Sequence, residues 1–244
     1  LVDCMPGESG RDIEKLREIS RNSGVHIVAA TGMHNPKYYE KKSRYVSAGR
    51  EELSKIFVSE ISDRCGIIKI HSLGEELSAS EKELFAAAVQ AQNETGAPII
   101  THCEEGKGAL AQISEFKKLG ADLKRIVLSH TDKYPDHKYH QEILSSGINV
   151  EYDQSLRQAE STNRPSLELT VAMCSAGFTK QIMLGTDGAR EFGEQLRITA
   201  LGQQKSVQQR SQQQGGSTTQ QQGHGSFLLF GVAAGQRWRG VMLL

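Results

Sequence analysis

Along the first 190 or so residues, short apolar runs alternate with longer stretches whose apolar positions recur every three or four residues. The short runs lie at 1–5 (LVDCM), 26–30 (HIVAA), 66–71 (GIIKIH), 98–102 (PIITH), 125–130 (RIVLSH), 148–152 (INVEY) and 181–186 (QIMLGT). Each has the length and β-branched content of a buried strand. Their starts are separated by 25, 40, 32, 27, 23 and 33 residues, the spacing of successive strand–helix units. Helical periodicity occupies 12–23, 50–63, 80–95 and 108–119. Gly24, Gly96, Gly120, Gly147 and Gly177 fall just past such stretches, where a helix end favours a left-handed residue. Ser80 followed by Glu83 reads as a capping box. Repeated strand–helix units predict a parallel sheet with right-handed crossovers. Seven strands fit a (β/α)8 TIM barrel lacking one unit, or an open doubly wound sheet. No GxGxxG or Walker A loop follows any of the strands, which weighs against the nucleotide-binding version.

Strand parity then organises the polar residues. Ile67, Lys69 and His71 share one face of their strand, Ile100 and His102 share another, and Met183, Gly185 and Asp187 a third. For the strand at 125–130 the same count groups Ile126, Leu128 and His130. Each strand thereby carries an ionisable residue near its C-terminal end, the rim where barrel enzymes keep their chemistry. Singly, a buried lysine is as well explained by an ion pair, a rim histidine by a hydrogen bond, and Asp187 before Gly188 by a turn. Recurrence at the same end of four strands makes a metal-site inventory the better reading.

Composition divides the chain. The 244 residues carry 29 basic and 29 acidic side chains, so no general basic field exists for nucleic acid or anionic membrane. No acid follows Glu194, whereas five basic residues do, which leaves residues 1–194 at 24 basic against 29 acidic, a net of −5. Ten Gln fall within 203–222, interleaved with Gly, Ser and Thr, so 195–244 is expected to be a disordered or frame-shifted tail. The alternative is a natural tail that mediates assembly. The chain opens on Leu1 rather than Met, without a charged leader, and reads as a domain entered partway. No apolar run approaches the ~20 residues that span a bilayer. Cys4, Cys65, Cys103 and Cys174 are scattered, which fits a reducing, cytoplasmic setting.

At these residues the sequence resembles the phosphotriesterase family of the amidohydrolase superfamily. The matching stretches are HIVAATG (26–32), GIIKI (66–70), PIITHCE (98–104), IVLSHTD (126–132) and GTDGAR (185–190), and the resemblance covers about residues 1–191. It implies a (β/α)8 barrel holding two divalent metal ions, usually zinc. By position, Lys69 would become a carbamate bridging both metals and His102 and His130 would hold the more exposed ion. Asp187 would hold the more buried ion and take a proton from a bridging hydroxide. Carbamate, imidazole and carboxylate are all good zinc ligands, whereas a free ammonium would be repelled by two dications. The family's first strand ends in an HxH pair, and no HxH occurs in these 244 residues. The expectation is therefore a barrel without that strand, open at the seam, and impaired in activity. His137 and His140 do not replace the pair by position and are expected to be solvated.

The resemblance also implies a small ester or lactone as substrate. Arg190 lies three residues past Asp187, and Lys133, Tyr134 and Arg157 follow the strands at 125–130 and 148–152. A guanidinium there can grip a carboxylate or phosphate, although Arg190 could equally pair with Glu191 or Glu194. Family members with this GTDGAR loop look more like lactonases or esterases, some acting on phosphorylated sugar lactones, so the resemblance implies lactone or ester hydrolysis with phosphotriester hydrolysis as the runner-up. A noncatalytic barrel, with Lys69 unmodified and ion-paired, and a homodimer both stay open. Asp132 and Asp153 read as turn formers ahead of orienters of the ligand histidines, His71 as a rim residue beyond its strand, and Cys103 as a small buried hydrophobe. His34 follows the strand at 26–30, where family counterparts line the substrate.

Overall fold

The structure, a computed structural model, describes residues 1–158 and 161–187. Seven strands appear where the apolar runs predict them: β1 (Val2–Asp3), β2 (Val28–Gly32), β3 (Ile67–Ser72), β4 (Ile99–Cys103), β5 (Ile126–Ser129), β6 (Asn149–Tyr152) and β7 (Ile182–Leu184). They form one curled sheet in sequence order with every neighbouring pair parallel, the topology of a partial barrel. The helices are α1 (Ile13–Ser23), α2 (Arg44–Ser47), α3 (Arg50–Asp63), α4 (Ala79–Thr95), α5 (Ala109–Lys118), α6 (His137–Ser145) and α7 (Pro165–Met173). Leu1–Gly185 belongs to one compact unit and Thr186 opens another.

Local chemistry sets the helix ends. Asp12 accepts from the Lys15 N–H at the start of α1, and Gly24, at φ 70°, closes that helix in the left-handed region. The capping box that starts α4 is Ser78 with Glu81, two residues before the pair expected from the sequence. Glu83 instead forms a two-pronged ion pair with Arg50 of α3.

Two apolar layers sandwich the sheet. The outer one joins Ile68, Ile70, Ile99, Ile126, Leu128 and Val150 to helix residues such as Phe57, Phe85, Phe116 and Ile143. Phe85 and Phe116 lie 4.8 Å apart between α4 and α5. The inner layer is small and comes from strands alone: Ala30, Ile67, Ile100 and Val127, flanked by Cys4, Val28 and Met183. This assignment corrects the parity expected for β5. Ile126 and Leu128 face the helices, Val127 faces the interior, and His130 lies beyond the strand with φ 66°. The left-handed turn changes the direction of the chain, which strict alternation does not anticipate.

A partly buried polar hub ties the β1–α1 connection to α3. Glu60 accepts from Arg11 Nη1 (2.8 Å), Thr31 Oγ1 (2.7 Å), Tyr45 Oη (2.6 Å) and Arg44 Nη2 (2.8 Å). Burial alone would raise its pKa, but these donors outweigh it and hold the carboxyl below the usual range.

Gly32 ends β2 at φ 115° in register with Lys69, and a Cβ there would overlap the Lys69 carbonyl. Gly32→Ala is therefore expected to cost about 3 kcal/mol or more, through both the clash and the backbone conformation. A urea midpoint unchanged by the substitution would contradict this account of the β2–β3 contact.

Candidate metal centre

The site assembles at the C-terminal edge of the sheet because parallel strands bring equivalent ends together. Register places Lys69 opposite Ile100 and His71 opposite His102, so Lys69 lies one inward position below the histidine level. Lys69 is 4% exposed, directly above the inner apolar layer. The rings of His102 and His130 approach to 4.6 Å between centroids, and His34 stands 5.3 Å from His102. His34 also lies 6.2 Å from His71.

Each imidazole has a physical tether. His71 is buried within β3 rather than beyond it, and its Nδ1 donates to the Met33 carbonyl at 3.1 Å. His102 Nε2 meets Glu104 Oε2 at 2.9 Å. His130 Nδ1 lies 2.6 Å from Asp153 Oδ2, and both residues are buried. The Tyr39 hydroxyl accepts from the His34 N–H at 2.9 Å, while His34 Nδ1 is buried with no hydrogen-bond partner among the described residues.

These surroundings set the charge states. Burial, then the positive fields of Lys69 and the neighbouring imidazoles, push His34 down to about 3. Burial and His130 push His102 down to about 4, with Glu104 opposing. Burial would raise Asp153, but its hydrogen bond to His130 outweighs that and holds the carboxyl below its ordinary range. Glu151, inward on β6, moves the other way through burial and the adjacent Asp153 charge. Its Oε2 accepts from Ser129 Oγ at 2.7 Å, and the open Cα face of Gly185 lies against Glu151 and Asp153.

Of the residues expected from the sequence, Lys69, His102 and His130 therefore share one neighbourhood, their charges acting on common partners. Asp187 is half-buried with φ 39° and belongs to the unit that Thr186 opens. Lys133 and Tyr134 stand exposed on the segment after β5, and Lys107 Nζ lies 5.8 Å over the Tyr134 ring. Arg157 is exposed on the 3-10 turn after β6, and Arg190 lies outside the described residues.

Two sequence readings are corrected. Asp153 is the direct partner of His130 rather than a turn former, and its shared parity with Glu151 at a strand end was the available signal. Asp132 is also more than a turn former: it is buried, and its Oδ2 accepts from the Gln154 N–H at 2.9 Å and from the Ser166 hydroxyl. Burial raises its pKa against those two donors.

The donor set suits a divalent cation: two adjacent imidazoles, His102 held neutral by burial, and a carboxylate against the second ring. A model of the phosphotriesterase family matches residues 1–208. The chain belongs to the phosphotriesterase family. A phospho-furanose lactonase of Mycoplasmopsis synoviae is 26% identical over 212 residues, 78% of this chain and 60% of that protein. An N-acetyltaurine hydrolase of Rattus norvegicus is 32% identical over 152 residues, 59% of this chain and 43% of that protein. Among solved structures, an organophosphorus hydrolase from Deinococcus radiodurans superposes with a TM-score of 0.68 at 29% identity, covering 77% of this chain and 60% of that one. The chain thus spans about half of each of the two curated relatives, 60% and 43%.

The imidazole shifts generate a pH prediction for the metal-free protein. His102 titrates near 6.5 unfolded but near 4 folded, so the unfolded chain binds more protons between those values. The stability it contributes is complete above 6.5 and lost as pH falls toward 4; His34 acts in the same direction. The raised carboxyls of Asp132 and Glu151 oppose this, so a variant isolates the imidazole part. Urea midpoints should fall from pH 7 to pH 5 more steeply in the native chain than in His102→Gln. Equal slopes would refute the assignment.

Proposed function

We propose that this family member is a zinc-dependent hydrolase of a lactone or carboxylic ester, with a phosphorylated sugar lactone as the favoured substrate class. The observation that carries the reading is the pairing of His102 and His130 at 4.6 Å above a buried Lys69. His102, His130 and a carbamate on Lys69 would hold metal. Asp187 would join them by its place in the family's pattern. Bound there, zinc would polarise the scissile carbonyl and lower the pKa of a coordinated water.

The chain's own residues do the rest. Asp153 holds the His130 ring through Nδ1, fixing its orientation and leaving Nε2 as the ligating nitrogen. Asp187 would accept the proton lost from the attacking water and return it to the leaving oxygen. Lys133, Tyr134, Arg157 and Arg190 would line the substrate end, with the cationic members gripping a phosphate or carboxylate. No HxH pair is present in the sequence, so one ion per chain is the expected load, in place of the two that a complete binuclear site holds. The four cysteines are unpaired, which supports a reducing, cytoplasmic setting. No helix among the described residues is long and apolar enough to cross a membrane.

Purified chain loaded with zinc should contain about one ion and should hydrolyse sugar lactones faster than an aryl phosphotriester. Lys69→Ala and His102→Ala should each lower kcat/KM for the lactone by about 10²-fold or more. Triester turnover exceeding lactone turnover would reverse the substrate assignment. Lactonase activity indifferent to both substitutions would remove the metal reading altogether.

A further inference from the structure

A buried histidine outside the ligand set braces the site from behind. His140, on α6, was expected to be solvated along with His137; His137 is exposed, but His140 is 0% exposed. Its Nε2 lies 3.1 Å from the carbonyl oxygens of both Thr131 and Tyr134. Carbonyl oxygens only accept, so Nε2 carries the proton. Nδ1 is then a lone pair, and the Tyr152 hydroxyl, 2.8 Å away, donates to it. Every polar atom of this ring is used, and its surroundings select one neutral tautomer.

The partners of His140 flank the two residues of the central pair. Thr131 follows His130, and Tyr152 precedes Asp153. His130 holds a left-handed backbone, φ 66°, which a residue other than glycine keeps only where its surroundings impose it. The turn after it is closed by Lys133 N–H to His130 O and Tyr134 N–H to Thr131 O, both at 3.1 Å. Gly106 packs beneath, where a Cβ would meet the Tyr134 nitrogen at 2.5 Å. Asp132 gives a second tie by accepting from the Gln154 N–H. His140 grips both the turn after β5 and the end of β6 through a single rigid ring.

We infer that His140, with Tyr152, is a positioning residue that fixes the left-handed turn at His130 and so sets its ring against Asp153 for metal binding. The inference rests on the reading of His130 as a ligand.

The test uses the full chain, with Co2+ alone as probe, followed by its visible absorption, and thermal unfolding of the metal-free protein as a second readout. Tyr152→Phe and His140→Leu should each weaken Co2+ binding by about 10- to 100-fold and alter the absorption bands. His140→Gln, which keeps a donor and an acceptor, should recover part of that loss. A purely structural role would lower the unfolding midpoint while leaving the folded protein's Co2+ affinity and spectrum as in the native chain, and that result overturns the inference. Should His140→Leu fail to fold, Tyr152→Phe, which preserves shape and removes one hydroxyl, decides the matter. His130→Asn separates the two levels of argument. If it abolishes binding while Tyr152→Phe binds normally, the positioning role falls and the ligand role stands. If His130→Asn binds Co2+ normally, or the native chain binds none, both fall together.

Discussion

Desolvation governs this molecule. The mouth of the curled sheet gathers Lys69, His71, His102, His130, Glu151 and Asp153 from the ends of four neighbouring strands, above an apolar layer of Ala30, Ile67, Ile100 and Val127. A buried ionisable group must lose its charge, find an opposite one, or hold an ion. All the first two responses are visible. His34, His71 and His102 become harder to protonate, Glu151 becomes harder to ionise, and Asp153 stays ionised by pairing with His130. A fold selected only for stability would place apolar residues there, because replacing buried ion pairs by well-packed hydrophobes is often neutral or stabilising. The polar mouth is therefore better explained by what it binds.

The backbone supplies the positions. Parallel pairing fixes which residues stand level, so Ile100 and His102 follow Lys69 and His71 across the β3–β4 boundary without any special contact. Where the site needs a side chain that alternation would send to the helix layer, the chain leaves regular geometry. His130 would follow Ile126 and Leu128 outward, and its left-handed conformation brings it to Asp153 instead. Strain of this kind, of the order of 1 kcal/mol, persists where surrounding bonds over-determine it. Here the Asp132, Gly106 and His140 contacts do so.

The same distinction explains what could be read from the chain alone. Strand positions, parallel order and glycine helix ends follow from local periodicity and turn chemistry, and the seven apolar runs became the seven strands. Lys69 and His102 were legible because regular alternation carries them inward. The parity of β5 was not, since a single φ value decides it and no residue type announces it: His130 is not a glycine. Asp153 and His140 were undervalued because their importance lies in partners far along the chain, 23 residues back at His130 and 12 residues on at Tyr152. The capping box slipped by two residues because Ser78–Glu81 and Ser80–Glu83 satisfy the same spacing, and only tertiary packing chooses between them.

Charge balance gives the last step. The Lys69 charge acts on Glu151, which burial makes harder to ionise, while Asp153 stays ionised against His130. On the proposed reading, a divalent ion held by His102 and His130 would add two positive charges near an ammonium, a repulsion of several kcal/mol at about 4 Å even at an effective dielectric near 20. Converting the ammonium to a carbamate, by forming an N–C bond to carbon dioxide with release of two protons, would replace a repelled cation with an anionic ligand and change the local charge by two units. On the proposed reading, lysine modification and metal uptake would each favour the other, because each supplies charge that the other needs.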